Sequence, residues 1–286
     1  MIEITVDEQV LADIGKGFSV PVQPKLLAKL QQIIAQPDPQ LNEVAELIMQ
    51  DVAVSATILK TINSPLYGLA RSMSDIKKSV RYIGLNGIYS LVTGCLLKQS
   101  FQQNDCSIDL DDFWVTAHQI ANVAMAIGKQ TKHRISSEKL FSIGFFHDCG
   151  IPIMAIKYQR YQATLNFALN NPHTPLTTLE DKIFNVNHAT IGYYVASSWR
   201  LPKDICQLIL RHHDRHLLDS LDQSEFQLAF AILKLAENII EQHKYFRDIT
   251  DWHYLAEPIF TLLDFDEDDY RDLCDDINEQ LLMTRG

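Results

Sequence analysis

Residues 140–148 read Leu140-Phe141-Ser142-Ile143-Gly144-Phe145-Phe146-His147-Asp148. The first seven are apolar almost all round, so the run is a helix buried on every side. It ends on an imidazole and a carboxylate. Taking both out of water costs several kcal/mol unless they are paired or hold a metal. A structural His–Asp hydrogen bond meets that cost as a metal does, and two ligands alone do not make a site.

The rest of the chain also reads as helix. Leu26, Leu27, Leu30, Ile33 and Ile34 keep helical spacing after Pro24, and Pro37 and Pro39 close that segment. Leu41, Val44, Ala45 and Ile48 mark a second helix, and residues 52–62 a third, stopped by Asn63-Ser64-Pro65 because a residue before proline leaves helical geometry. Residues 74–83 form a further helix ended by Gly84. In the next, 86–100, Gly87 and Gly94 share one face and predict a close neighbouring backbone. Polar Gln102-Gln103-Asn104-Asp105 is the joint between two helical lobes, 19–104 and 105 onward. Helical patterns then cover 113–131, 137–148, 158–170, 179–199, 202–213, 226–243 and 266–283. Only Ile2, Ile4 and Val6 alternate like a strand, so the expected class is all-α, with residues 1–18 as an extension and 218–286 as helices completing the second lobe.

Composition limits the functions. The 286 residues are 47% hydrophobic and 21% charged, which fits a globular chain and excludes a disordered one. The formal charge of −11 argues against a broad DNA-binding surface. Five cysteines without a close pair fit a reducing cytoplasm. The acidic N-terminus lacks the pattern of a secretion signal, and no apolar run reaches the roughly 18 residues of a membrane span, so neither membrane nor export is expected.

The further ligands a metal would need are present. His118 interrupts an amphipathic helix, His188 opens another in Asn187-His188-Ala189-Thr190-Ile191-Gly192, and His212-His213 closes the helix after Pro202. Each alone reads as a surface or capping histidine. Together with His147 and Asp148 they form a set suited to zinc, iron or manganese.

The order His118, then His147-Asp148, then a late acidic residue resembles the HD superfamily, helical metal-dependent phosphohydrolases. Closer still, the chain resembles the HDOD family, HD-related bacterial signalling output modules. Four stretches carry that likeness: Pro21-Val22-Gln23-Pro24, residues 52–68, the Ile83-Gly84-Leu85 turn, and Trp199-Arg200-Leu201-Pro202 leading to His212-His213. It spans residues 19–217. Leu235-Ala236-Glu237 stands where the superfamily usually shows Leu-Ala-Asp.

The resemblance implies an HD-like helical bundle with an N-terminal helical lobe. It implies a first metal on His118, His147, Asp148 and Glu237, and a second on His188, His212 and His213, so one or two ions of Fe, Mn or Zn. Asp148 would be the catalytic residue if the chain is an enzyme, and a nucleotide or cyclic dinucleotide the ligand. Three departures weigh toward binding over hydrolysis: Ile151 replaces the lysine that commonly follows the HD pair, Glu237 replaces the aspartate, and no Gly-Tyr-Pro follows the paired histidines. The resemblance therefore implies a cytosolic signalling module with a protein partner, or alternatively a metal-dependent phosphohydrolase. No receiver, kinase or cyclase domain fits in the remaining residues, so input is expected from another chain.

Three other features have plainer readings. The acids at 264–269 lack the glycine of a calcium loop and suit a helix start. Tyr270, Leu273, Ile277 and Leu281 give that last helix an apolar stripe for docking on the core. Arg71, Lys77, Lys78 and Arg81 are expected on a solvated face, and Cys149 as an inert buried thiol.

Overall fold

The computed structural model describes residues 17–18, 20–64, 67, 69, 71–131, 135–171 and 174–283. Ile2, Ile4 and Val6, and Pro65, Leu66 and Gly68 of the third motif, lie outside the described residues. Among the described residues there is no strand, and the class is all-α.

The N-terminal lobe comprises α1 (Lys25–Ile34), α2 (Leu41–Met49), α3 (Val52–Ile62) and the first half of α4 (Ile76–Gln99). Apolar periodicity turns Leu27, Leu30, Val44, Ile48, Ile58 and Val80 into its core, all fully buried. Side chains of Asp51 and Asp75 cap α3 and α4 by accepting otherwise unpaired backbone N–H groups. Gly84, at φ 78° and ψ 172°, breaks α4 into the two helices that the sequence implies, in a conformation that glycine adopts without strain.

Beyond that break, α4 runs on to the second lobe. A Cβ at Gly94 would sit 2.9 Å from the Phe145 ring, and one at Gly87 would sit 2.7 Å from Glu138 Cγ. Both glycines therefore admit α6 (Ser137–Phe146), the buried helix of residues 140–146. On its other side Gly144 lies against the Ala121 backbone of α5 (Leu110–Gln130), close enough that a Cβ would fall 2.6 Å from Ala121 Cα. The Gln103–Asp105 turn joins the lobes, its Gln103 side chain bonded to Ile108 O and Leu110 N at 2.7 Å each.

After the HD pair come α7 (Ile151–Lys157), α8 (Tyr161–Asn170), α9 (Leu176–Phe184), α10 (His188–Ser198), α11 (Lys203–Arg211), α12 (Glu225–Tyr245), α13 (Trp252–Leu263) and α14 (Glu267–Met283). Residues 179–199, which the periodicity reads as one helix, are α9 and α10 with a break between them. Asn185 takes the left-handed conformation (φ 58°) and Asn187 caps α10 by accepting from Thr190 N. The pattern overlooks α13, and α7 as a separate helix entered through Pro152.

The lobes are also tied through Trp199. Its indole N–H donates to Pro21 O at 2.9 Å, and its carbonyl accepts from Gln31 Nε2 at 2.8 Å. Tyr89 Oη donates to Arg200 O at 3.1 Å. Two of the four motif stretches thus bind each other.

Two stretches, Ile76–Gln99 and Ser137–Lys157, are long and apolar enough to cross a membrane, contrary to the expectation that no run reaches that length. Their apolar windows are 61% and 83% buried inside the fold, as central helices require. Asp266 Oδ1 accepts from Asp268 N and Asp269 N, which makes the acidic stretch a helix cap, and Leu273 and Ile277 dock on the core. Lys77 and Arg81 reach Glu46 and Asn42 on the surface.

Candidate metal centre

The site begins where α6 stops. His147 is its C-cap, and Asp148 lies on the turn between α6 and α7. Gly150 makes this turn approachable: a Cβ there would lie 2.7 Å from Gly192 N and would overlap the His188 carbonyl. Two glycines in backbone contact therefore bring the first turn of α10, with His188, onto Asp148. His212 and His213 follow α11, whose side chains pack on α6 and α10.

Ligand atoms of Asp148, His188, His212 and His213 lie within 4.8 Å of one another. His188 Nε2 is 3.3 Å from Asp148 Oδ1, His212 Nε2 is 3.2 Å from the same oxygen, and His147 Nε2 is 3.2 Å from Oδ2. His188 Nε2 is 3.4 Å from His212 Nε2 and 2.9 Å from His213 Nε2. Donors bound to one ion at about 2.0–2.1 Å stand roughly 2.9–3.4 Å apart, the spacing found here.

The far sides of the rings fix their protons. His147 Nδ1 faces Gly144 O at 2.8 Å, His212 Nδ1 faces Ile209 O at 2.6 Å, and His188 Nδ1 faces Glu180 Oε2 at 2.7 Å. Carbonyls and carboxylates only accept, so each Nδ1 must donate, and each neutral ring then presents a bare lone pair at Nε2. All three lone pairs point at an oxygen of Asp148. Around Oδ1, acceptors facing acceptors at 3.2–3.3 Å repel one another unless a cation lies between them, whereas at Oδ2 a second proton on His147, whose pKa Asp148 and Glu237 raise, meets the same need. This donor set fits a divalent metal of the Zn, Mn or Fe group, with Asp148, His188, His212 and His213 as the residues that would hold it.

Without such an ion, protons take its place. Burial opposes charge on His188, but Glu180 and Asp148 outweigh it and lift its pKa to about 10. Burial likewise opposes charge on His147, and Asp148 and Glu237 reverse it, raising the pKa. His212 and His213 go the other way, lowered by burial. Burial would raise Asp148, yet His147 and its other histidine partners hold its carboxyl well below the usual range.

Glu180 is a supporting residue that the sequence reading missed. It is fully buried, accepts from His188 N–H at 3.1 Å as well as from Nδ1, and takes the Tyr161 hydroxyl on its other oxygen. A carboxylate behind a histidine orients the ring and raises its basicity. Lys234 was missed too: 4% exposed, it donates to Glu237 Oε2 at 2.7 Å. Its place inside the buried run of residues 226–240 was the available signal, because a charge there must be paired.

The seven expected ligands do not all meet. Glu237 comes near through Oε1, 3.6 Å from His147 Nε2. His118 faces elsewhere. Its Nδ1 is 2.9 Å from Asn122 Nδ2 and its Nε2 is 3.4 Å from Thr61 of α3, with Phe141 and Phe145 edge-on to the ring. That face of α5 looks toward the N-terminal lobe, and burial together with Lys60 and Lys98 lowers the His118 pKa to about 4. Cys149 is fully buried and its thiol is pushed up by burial, as expected of an inert cysteine. Ile151 lies in the core at 9% exposure.

A family model, the HDOD domain, matches residues 20–215. The chain belongs to the HDOD family. It is similar to an uncharacterized protein of Treponema pallidum (strain Nichols), 30% identical over 202 residues, which are 68% of this chain and 38% of that one; the match thus spans well under half of that relative. Among solved structures, an HDOD domain protein from Geobacter sulfurreducens superposes with a TM-score of 0.70 at 20% identity, covering 97% of this chain and 95% of the other. A Shewanella amazonensis SB2B chain described provisionally as a metal-dependent phosphohydrolase gives 0.65 at 22%, covering 96% and 98%. One from Marinobacter aquaeolei VT8, described provisionally as a signal transduction protein, gives 0.71 at 14%, covering 99% and 61%. These likenesses establish an HDOD fold shared with signalling and phosphohydrolase-like chains.

Proposed function

We propose that this HDOD chain is a cytoplasmic signalling module whose HD pocket holds a divalent metal and binds a ligand without turning it over rapidly. The observation that carries this reading is the set of Nε2 lone pairs converging on Asp148. A bound ion would supply positive charge to a phosphate oxygen and acidify a water. Asp148, with its side chain 28% exposed, and half-buried His213 are the members of the set open to an incoming ligand. A phosphate-bearing ligand, such as a nucleotide or cyclic dinucleotide, suits that charge. Ile151 offers it no donor where HD enzymes commonly place a lysine, and the loss of one transition-state donor costs about 10²–10³ in rate elsewhere. A protein partner would read the ligand state of the pocket.

The competing reading is a phosphohydrolase, favoured by the completeness of the donor set. Metal-reconstituted protein assayed against nucleotides, cyclic dinucleotides and generic phosphoesters separates the two. Binding with negligible turnover supports the module; robust turnover abolished in Asp148→Ala supports the hydrolase.

A further inference from the structure

The two oxygens of Asp148 face two different groups of donors. Oδ1 faces His188 and His212, with His213 adjoining them. Oδ2 faces His147, whose Nε2 in turn stands 3.6 Å from Glu237 Oε1. The second group, Asp148 Oδ2, His147 Nε2 and Glu237 Oε1, has the donor types of another cation site, with Asp148 as the bridge. Glu237 Oε1 is a buried oxygen with no hydrogen-bond partner among the described residues, which is unusual for a carboxylate.

The other oxygen of Glu237 is taken. Lys234 Nζ lies 2.7 Å from Oε2, with the lysine side chain 5% exposed and the glutamate 11%. Both side chains rise from α12, three residues apart, and α12 packs on α6. Lys234 is 4% exposed, on a helix whose core-facing residues are buried throughout. A cation on Glu237 Oε1 would share that carboxylate with the ammonium on Oε2, and two positive charges on one buried carboxylate repel in a poorly screened interior.

We infer that the Lys234 ammonium takes the place of a second metal ion, so that the chain carries one ion, on Asp148, His188, His212 and His213, while the group of His147 and Glu237 is closed to metal by an internal cation. The inference rests on the metal-centre reading. It adds that the centre combines one exchangeable cation with one supplied by the chain itself.

The test is metal stoichiometry, with no substrate involved. Wild type, Lys234→Met and Lys234→Gln are dialysed to equilibrium against Zn²⁺ and, separately, Mn²⁺, and bound ions are counted by elemental analysis. Exchange-coupled Mn²⁺ pairs are sought by electron paramagnetic resonance, and circular dichroism confirms that each variant is folded. The expected result is one ion per chain in wild type and two in a folded Lys234 variant, the second lost again in Lys234→Met/Glu237→Gln. Two ions in wild type would overturn the inference and leave the metal centre standing. One ion in both wild type and a folded Lys234 variant would overturn it as well. No ion in wild type would overturn the metal centre itself.

Discussion

Removing Glu180 tests how the centre is supported. The carboxylate accepts three hydrogen bonds, from the Tyr161 hydroxyl, His188 N–H and His188 Nδ1–H, and has no exposed surface. Glu180→Ala strands all three donors. At about 1–3 kcal/mol for each unsatisfied buried group, and allowing for the hydroxyl turning to another acceptor, the cost is about 3–6 kcal/mol. For a chain of this size, each kcal/mol lowers the melting temperature by about 2–4 °C, so the fall should be roughly 6–24 °C. Metal affinity should fall with it by about 10–100-fold, because the ring of His188 is no longer held. Glu180→Gln separates shape from charge. Its amide oxygen can accept both His188 protons while its NH₂ donates to the Tyr161 oxygen, so only the Tyr161 hydroxyl proton must find another acceptor and the stability cost should stay at about 1–3 kcal/mol, below that of Ala. Thermal melts of the chelator-treated proteins, followed by metal titration, provide both readouts. Equal losses for Ala and Gln, or a loss under about 1 kcal/mol for Ala, would show that Glu180 does not hold these three donors.

Further expectations concern the turn and the displaced histidine. In Gly150→Ala the new methyl meets the backbone of His188 and Gly192, which cannot yield as a side chain does, so we expect destabilisation of about 3 kcal/mol by melting and weaker metal uptake by titration. His118 is neutral in the fold with its pKa at about 4 and near 6.5 when unfolded, so between those values the unfolded chain binds more protons and stability falls as pH falls. The loss, complete below about pH 4, amounts to up to about 3 kcal/mol before solvent screening reduces it. Denaturant titrations from pH 7 to pH 4 should show a shallower decline for His118→Gln than for wild type, and identical slopes would contradict that assignment.

What the sequence revealed and what it hid follow from one distinction, that between an element's periodicity and the direction its side chains face. The all-α class and the buried helix ending in His147-Asp148 were legible because apolar spacing reports burial directly. Gly87 and Gly94 announced the approach of α6, whereas Gly150 and Gly192, which seat His188 on Asp148, act between a turn and a helix and carry no periodic signature. His118 matched the HD order, yet its helix face is set by packing against α3 and α6, and this turns the ring toward Thr61. Glu180 looks like an ordinary surface charge in an amphipathic pattern, and only the tertiary fold buries it, whereas Lys234 stands inside an apolar run where a charge must be paired. The break at Asn185 to Asn187 was available in principle, since one asparagine tolerates the left-handed turn and the other caps the next helix.

Whether a metal sits among Asp148, His188, His212 and His213 is decided by anomalous diffraction recorded at the absorption edge of the added ion, from crystals grown with Zn²⁺ or Mn²⁺. We expect a single strong peak about 2.0–2.3 Å from the Nε2 atoms of His188 and His212 and from Asp148 Oδ1. No peak there at saturating metal, or a peak centred instead on His118, would contradict it.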